Sequence, residues 1–313
     1  MSNWTLLGGG AVGGLFSGLL WHSGQGVNLL RSDEQQAVAR HELALTLLDG
    51  QSLHFAPPQL GVEDAAKIEK LMVTTKAYQV QPALEPLIGR LPATTPILLL
   101  HNGMGTAVWV ARAFPHNPLL LGITSNGARR LGPHHFLHTG AGETWIGAGN
   151  EAARPFTGLA QELARALPHA AWSEEIGFRQ WEKLVINAII NPLTALSGEP
   201  NGSLLARSEE IEALCHELQP LLLRQGFARS DDYWFERVLD VASSTAGNYS
   251  SMQQDLAAGR PTEIDYLSGY LLHQARAEGL QLPLQQQLYL AIKARESAAV
   301  TGSKVPHNSN SAQ

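Results

Sequence analysis

The chain has 313 residues, 44% hydrophobic and 16% charged, with Lys+Arg 22 against Asp+Glu 28 and a formal net charge of −6. At ~150 residues per domain this length predicts two domains, and the acidic balance argues against nucleic-acid binding, which needs a basic surface for phosphates. One cysteine, Cys215, excludes an intrachain disulfide and a thiolate metal cluster and fits a reducing compartment.

Leu6 to Trp21 is apolar, but no Lys or Arg precedes it, glycines interrupt it, and it is too short to span a bilayer. A soluble, cytoplasmic protein without a membrane partner is therefore expected. Short apolar runs at Trp4–Leu7, Val27–Leu30, Leu71–Thr75, Ile97–Leu100 and Leu119–Thr124 predict buried strands. Helical patterns at Ala11–His22, Ser32–His41 and Ala83–Leu91 alternate with them, the mark of a parallel sheet covered on both faces. Gly127 to Gly149, rich in Gly, His and Thr, predicts antiparallel hairpins closing that domain.

From about Pro155 the pattern turns helical: Pro155–Leu167, Phe178–Ser197, Ser208–Gln225, Asp231–Ala257, Thr262–Glu278 and Leu284–Ser297. The fold class expected is α/β, an N-terminal Rossmann-like doubly wound sheet plus an all-helical C-terminal domain. The boundaries are 1–167 for the first domain, 168–300 for the second, and 301–313 for a polar, disordered tail.

Gly8, Gly9, Gly10, Ala11, Val12 and Gly13 match G-x-G-x-x-G between an apolar strand and a helix. Gly8 permits the tight turn, Gly10 lets a pyrophosphate approach the backbone, and Gly13 allows close packing of helix on sheet. The anion would lie at the helix N-terminus, where free N–H groups and the dipole favour it. After the second strand, where an NAD-binding fold usually carries an acid, stands Arg31, followed by Ser32. A guanidinium there suits a 2′-phosphate and favours NADP over NAD, although Asp33-Glu34 nearby would serve as the acid of an NAD site. Lys76 and Asn102 also follow strand ends, so four strand ends point at one edge.

Trp181–Leu196 is apolar around most of its circumference, yet Lys183, Asn187 and Asn191 fall at i, i+4 and i+8. Burying such groups without partners costs roughly 2 kcal/mol or more each, so polar matter must face the stripe. A substrate site explains it better than three separate structural contacts. Pro192 is expected to kink this helix just below Asn191. Asn248, Ser251 and Asp255 at i, i+3 and i+7 form a second polar face. Glu263 opens the next helix, either offsetting the dipole or serving the site. His134, His135 and His138, if extended, point to opposite faces, so no metal site is expected.

These blocks together resemble the ketopantoate reductase family. They are GGGAVG, Lys76–Val80 (KAYQV), His101–Gly105 (HNGMG), Trp181-Glu182-Lys183-Leu184 with Asn187 and NPLTA at Asn191–Ala195, and SSMQQD at Ser250–Asp255 with TEIDY at Thr262–Tyr266. The resemblance runs from the first strand to about Gly302 and implies NADPH-dependent reduction of 2-dehydropantoate to (R)-pantoate, on the route to pantothenate and coenzyme A. It implies Lys183 as proton donor, Asn102 between nicotinamide and substrate, and Asn187, Asn191, Asn201 and Ser251 as substrate contacts. Gly8 to Gly13, Arg31, Lys76, Ala128 and Glu263 would contact NADP. The partner implied is a small 2-oxo acid. The rivals are an NADP-dependent reductase of another small 2-oxo or 3-hydroxy acid, and a non-catalytic NADP-sensing regulator, which would have no need of a proton donor.

Overall fold

A computed structural model describes residues 3–31, 42–230 and 232–302. Two compact units divide between Gln180 and Trp181.

The first unit is built on an eight-stranded sheet. Its strands are β1 (Trp4–Leu7), β2 (Val27–Leu30), β5 (Gln59–Leu60), β6 (Lys70–Val73), β7 (Ile97–Leu99), β8 (Leu119–Thr124), β11 (Thr144–Ala148) and β12 (Ala170–Trp172), in the order β12-β11-β8-β7-β6-β1-β2-β5. All neighbours pair in parallel except β8 and β11, which are antiparallel. Strands buried on both faces are mostly apolar: β7 throughout, β1 except for Thr5 and β6 except for Lys70. One face packs Leu15, Phe16 and Leu20 of α1 (Ala11–His22), and the other packs Val80, Leu84 and Leu87 with Val110 and Phe114.

A second sheet lies on the far side of α1. It has four strands, in the order β4 (Ser52–Phe55), β3 (Leu43–Thr46), β10 (His135–Gly140), β9 (Gly127–Gly132). This explains glycines that the dinucleotide motif leaves over. A Cβ on Gly14 would stand 2.2 Å from the Phe136 ring, and one on Gly18 would stand 2.6 Å from Leu45. At i, i+4 the two glycines make a flat helix face on which the sheet rests.

Several expectations need correction. The helix expected over Ala83–Leu91 is instead α2 (Val80–Leu84) and a 3-10 turn at Glu85–Leu87, with Pro82 and Pro86 interrupting longer winding. Within Gly127 to Gly149, β9 and β10 form the expected hairpin, whereas β11 returns to the main sheet. The helix pattern expected over Ser32–His41 lies outside the described residues. Beyond Pro155 the sequence shows no strand, yet β12 is one; three residues are too few to display a period.

The second unit is helical. Its main helices are α5 (Ile176–Ser197), α6 (Ser208–Arg224), α7 (Tyr233–Ser244), α8 (Ser251–Ala257), α9 (Ser268–Ala277) and α10 (Pro283–Gly302), after α3 (Thr106–Ala113) and α4 (Gly158–Ala164) of the first unit. The stretch Asp231–Ala257 is two helices: α7 ends at Ser244 with Thr245 as its C-cap, and Ser250 caps the next, accepting from the Gln253 N–H at 3.2 Å. Asn248 therefore stands in the turn and shares no helix face with Ser251 and Asp255. Similarly, Thr262–Glu278 is a 3-10 turn at Ile264–Tyr266 followed by α9. α5 runs without a break through Pro192. Thr301 and Gly302 close α10, and the rest of the expected tail lies outside the described residues. Among the described residues no helix is long and apolar enough to cross a membrane.

Candidate active site

The first unit carries a site made mostly of backbone. Gly8 ends β1 at φ 128°, a conformation that favours glycine, and its Cβ would stand 2.7 Å from the Thr74 carbonyl carbon and the Thr75 nitrogen. A Cβ on Gly13 would meet the Gly8 carbonyl oxygen at 1.9 Å, so the first turn of α1 sits directly on the end of the strand. Gly9 and Gly10 differ: among the described residues, nothing beyond the adjoining backbone of the turn would lie within 4 Å of a Cβ on either. The turn thus packs inward at Gly8 and Gly13 and leaves open space at Gly9 and Gly10, beside the unpaired N–H groups of a helix start. That cradle fits a dinucleotide pyrophosphate. Thr74 pins the turn, its hydroxyl 3.1 Å from the Gly8 carbonyl. The sequence reading passes over this residue because it reads as one more strand position.

Arg31 follows β2 half-buried, its backbone N–H donating to Leu60 and its Nη1 to Gln59 Oε1 at 3.2 Å. Lys76 starts the 3-10 turn Ala77–Gln79 after β6, and Ala128 lies in β9 against the core that packs α1. Ser32, Asp33 and Glu34 lie outside the described residues.

Asn102 sits half-buried in the loop from β7 to α3, where Gly103 and Gly105 take φ of 78° and 105°. His101 braces this loop. Its Nδ1 lies 2.9 Å from the Asn102 carbonyl, which can only accept, so Nδ1 donates there, and its Nε2 lies 2.8 Å from the Thr106 hydroxyl. A small cleft opens here, lined by His101, Gly103, Met104, Thr106, Leu121 and Gln180.

The second unit carries a site made of side chains. Lys183 and Asn187 are half-buried on α5 and Asn191 is 7% exposed, while Leu184, Val185, Ala188 and Ile189 fill the core around them. Burial pulls the Lys183 pKa from 10.5 down to about 8, and the carboxylate of Glu263 acts against it. Glu263 is 5% exposed. An acid facing an ammonium tells more than a helix-start acid alone, and spacing could not have paired residues eighty positions apart.

Asn201 and Ser251 converge on one turn. Asn201 donates its backbone N–H to the Asn248 carbonyl at 2.8 Å and Nδ2 to the Thr245 hydroxyl at 2.9 Å, while its buried Oδ1 has no partner among the described residues. Thr194, one turn beyond Asn191, fastens that segment to α5, its hydroxyl 2.8 Å from that of Ser250. Ser251 is exposed as the first residue of α8. Asp255 is spent structurally, buried in an ion pair with Arg260 at 3.0 Å.

Among the described residues no three His, Cys, Asp or Glu side chains gather as metal ligands. His135 faces Thr46 at 2.9 Å, and His138 faces the Gly140 carbonyl at 3.0 Å, with burial lowering its pKa. Cys215 is buried and its thiol pushed up to about 12, an inert apolar filler.

A parallel, Rossmann-type α/β unit with a tight glycine turn, followed by a helical unit with a lysine-asparagine stripe, defines a class of two-domain oxidoreductases. Comparison with known families narrows the class. Residues 4–151 match Ketopantoate reductase PanE/ApbA, and residues 176–296 match Ketopantoate reductase PanE/ApbA C terminal. The chain belongs to the ketopantoate reductase family. It is 40% identical over 300 residues to the 2-dehydropantoate 2-reductase of Salmonella typhi, covering 94% of this chain and 95% of that protein. The crystal structure of the probable 2-dehydropantoate 2-reductase of Bacillus subtilis superposes with a TM-score of 0.78 at 29% identity, over 94% of this chain and 99% of the other. A D-mandelate dehydrogenase, solved with NADH and anilino(oxo)acetate, shares the fold with a TM-score of 0.86 at 22% identity, covering 95% of this chain and 99% of that one.

Proposed function

We propose that this chain reduces 2-dehydropantoate to (R)-pantoate with NADPH, supplying pantoate for pantothenate and coenzyme A. The observation that carries this reading is the Lys183 ammonium, brought to a pKa of about 8 among the buried Leu184, Val185, Ala188 and Ile189 and in line with Asn187 and Asn191. A ketone taking up hydride builds negative charge on its oxygen, and a positioned acid stabilises that charge and then neutralises it. At pKa 8 Lys183 is still largely protonated at neutral pH and is a far better acid than an exposed lysine. Asn187, Asn191, Asn201 and Ser251 supply amide and hydroxyl groups suited to a small hydroxylated 2-oxo acid.

The cofactor-binding role is assigned to the first unit, whose sheet takes in β12 beyond the boundary expected at 167, and the substrate-side role to the helical unit that follows Gln180. Gly8 to Gly13 would hold the dinucleotide phosphates, Arg31 the 2′-phosphate, and Lys76, Asn102, Ala128 and Glu263 the remainder. When bound, the nicotinamide supplies the hydride. A reducing compartment suits the single buried thiol, and we place the protein in the cytoplasm. The test is oxidation of NADPH, followed by absorbance, with 2-dehydropantoate and with a panel of other 2-oxo acids. Turnover confined to another acid overturns the substrate, and binding of NADPH with no turnover at all overturns the enzyme.

A further inference from the structure

Glu263 is bracketed on both sides by one helix. Glu296 Oε1 of α10 accepts from the Thr262 backbone N–H and from the Thr262 hydroxyl, each at 2.7 Å. Past Glu263, the Tyr289 hydroxyl donates to Asp265 Oδ1 at 2.7 Å. Lys293 joins the two sides, with Nζ 3.0 Å from Asp265 Oδ2 and 3.0 Å from Glu296 Oε2. Tyr289, Lys293 and Glu296 fall at i, i+4 and i+7, on one face of α10. The bracket reaches into the core, since Thr262 is 3% and Glu263 5% exposed.

A carboxylate influences an ammonium according to their separation and to how little water lies between them. Glu263 immediately precedes the short 3-10 turn, its carbonyl accepting from the Tyr266 N–H at 3.0 Å, and the bracket holds the residues on either side of it. Other acids nearby are differently engaged. Glu182, beside Lys183 in sequence, accepts from Tyr233 at 2.6 Å and Arg237 at 3.1 Å of α7, and Asp255 holds Arg260. Tyr266, raised by burial and then by Asp265 and Glu263, is the neutral group on the same turn.

We propose that Glu296 and Lys293 are positioning residues for the proton transfer: by fixing Thr262 and Asp265 they place Glu263, and through Glu263 they govern Lys183. The inference rests on Lys183 being the proton donor, and it assigns a function to the C-terminal helix.

The experiment compares pH profiles of kcat for the wild type, E263Q, E296A, K293M and the double variant E263Q/E296A. In parallel, the Lys183 ammonium is titrated by NMR of lysine-labelled protein, its resonance identified by its absence in K183A. Removing the Glu263 charge should lower the midpoint of the high-pH limb, because that charge favours the protonated amine; a shift of about half a unit or more is expected. E296A and K293M should move the limb and the NMR midpoint in the same direction, and E296A should add nothing once Glu263 is Gln. E296Q, which can still accept from Thr262, should fall between E296A and the wild type. If E296A and K293M lower the melting temperature while both midpoints stay put and E263Q moves them, the bracket is only structural and the proposal fails. If K183A remains active, the proton-donor reading fails and takes the proposal with it. Should E296A not fold, K293M and E296Q carry the same comparison.

Discussion

The glycine turn of the first unit and the polar stripe of the second are built on opposite principles. In the first, backbone makes the site, and what matters is the absence of side chains: Gly8 and Gly13 are closed in by atoms as near as 2.7 and 1.9 Å to a missing Cβ. In the second, a regular helix merely presents Lys183, Asn187 and Asn191, and the chemistry lies in what those side chains carry. The first site should therefore fail by losing shape and the second by losing chemistry. Stability and activity should separate at the second site and travel together at the packing glycines of the first.

The largest effect belongs to the second site. Lys183→Ala should lower kcat by ~100- to 10,000-fold, the range for loss of a general acid, while NADPH affinity and melting temperature change little. Lys183→Arg should not rescue it, since guanidinium keeps the charge but holds its proton too firmly. Steady-state kinetics beside a melting curve check both, and a Lys183→Ala enzyme within a few-fold of wild type would show that the proton comes from elsewhere. The wild-type reductive rate should fall as pH rises through about 8, because the acid form is the active one. Stability should run the other way. A lysine whose pKa is depressed on folding binds fewer protons than in the unfolded chain between about 8 and 10.5, so this group's contribution becomes more favourable across that window. A rate that stays flat to pH 9.5 removes Lys183 as the donor.

Next come the glycines, where the turn can be divided into two halves. Gly13→Ala drives a methyl into the Gly8 carbonyl and should cost ~1–3 kcal/mol of stability along with cofactor affinity. Gly10→Ala adds its methyl to open space, so its melting temperature should hold while NADPH binding, titrated by fluorescence, weakens by ~10-fold or more. Equal melting temperatures for the two variants would break the distinction between packing glycines and cradle glycines.

The two regions also differed in how far the sequence revealed them. The glycine turn, its flanking strand and helix, and the Lys183 stripe were all legible, because each rests on local spacing that a period or motif displays. The second sheet was not: β3 and β4 are four residues each, and β10, the strand that pairs with β3, lies just over ninety positions away, so no window holds the pattern. The same limit hid Thr74 behind Gly8 and Glu263 opposite Lys183, contacts made by folding and absent from any local repeat. Asp231–Ala257 was misread for another reason. Its apolar residues keep helical spacing across Thr245–Ser250, and only the capping chemistry of Ser250 reveals two helices.

The smallest effect expected lies between the two extremes, at a side chain serving the backbone site. Arg31 is held half-buried at the end of β2 by Gln59 at 3.2 Å, a placement that suits a 2′-phosphate and offers nothing specific to a 2′-hydroxyl. Arg31→Ala should therefore raise KM for NADPH by about tenfold, near the low end for a charge-assisted contact, and leave NADH use unchanged. Arg31→Lys should recover part of the loss, since an ammonium keeps the charge without the bidentate geometry. Initial rates with both cofactors decide the matter: equal losses would mean that Arg31 shapes the end of β2 and that preference for NADPH is set by other residues.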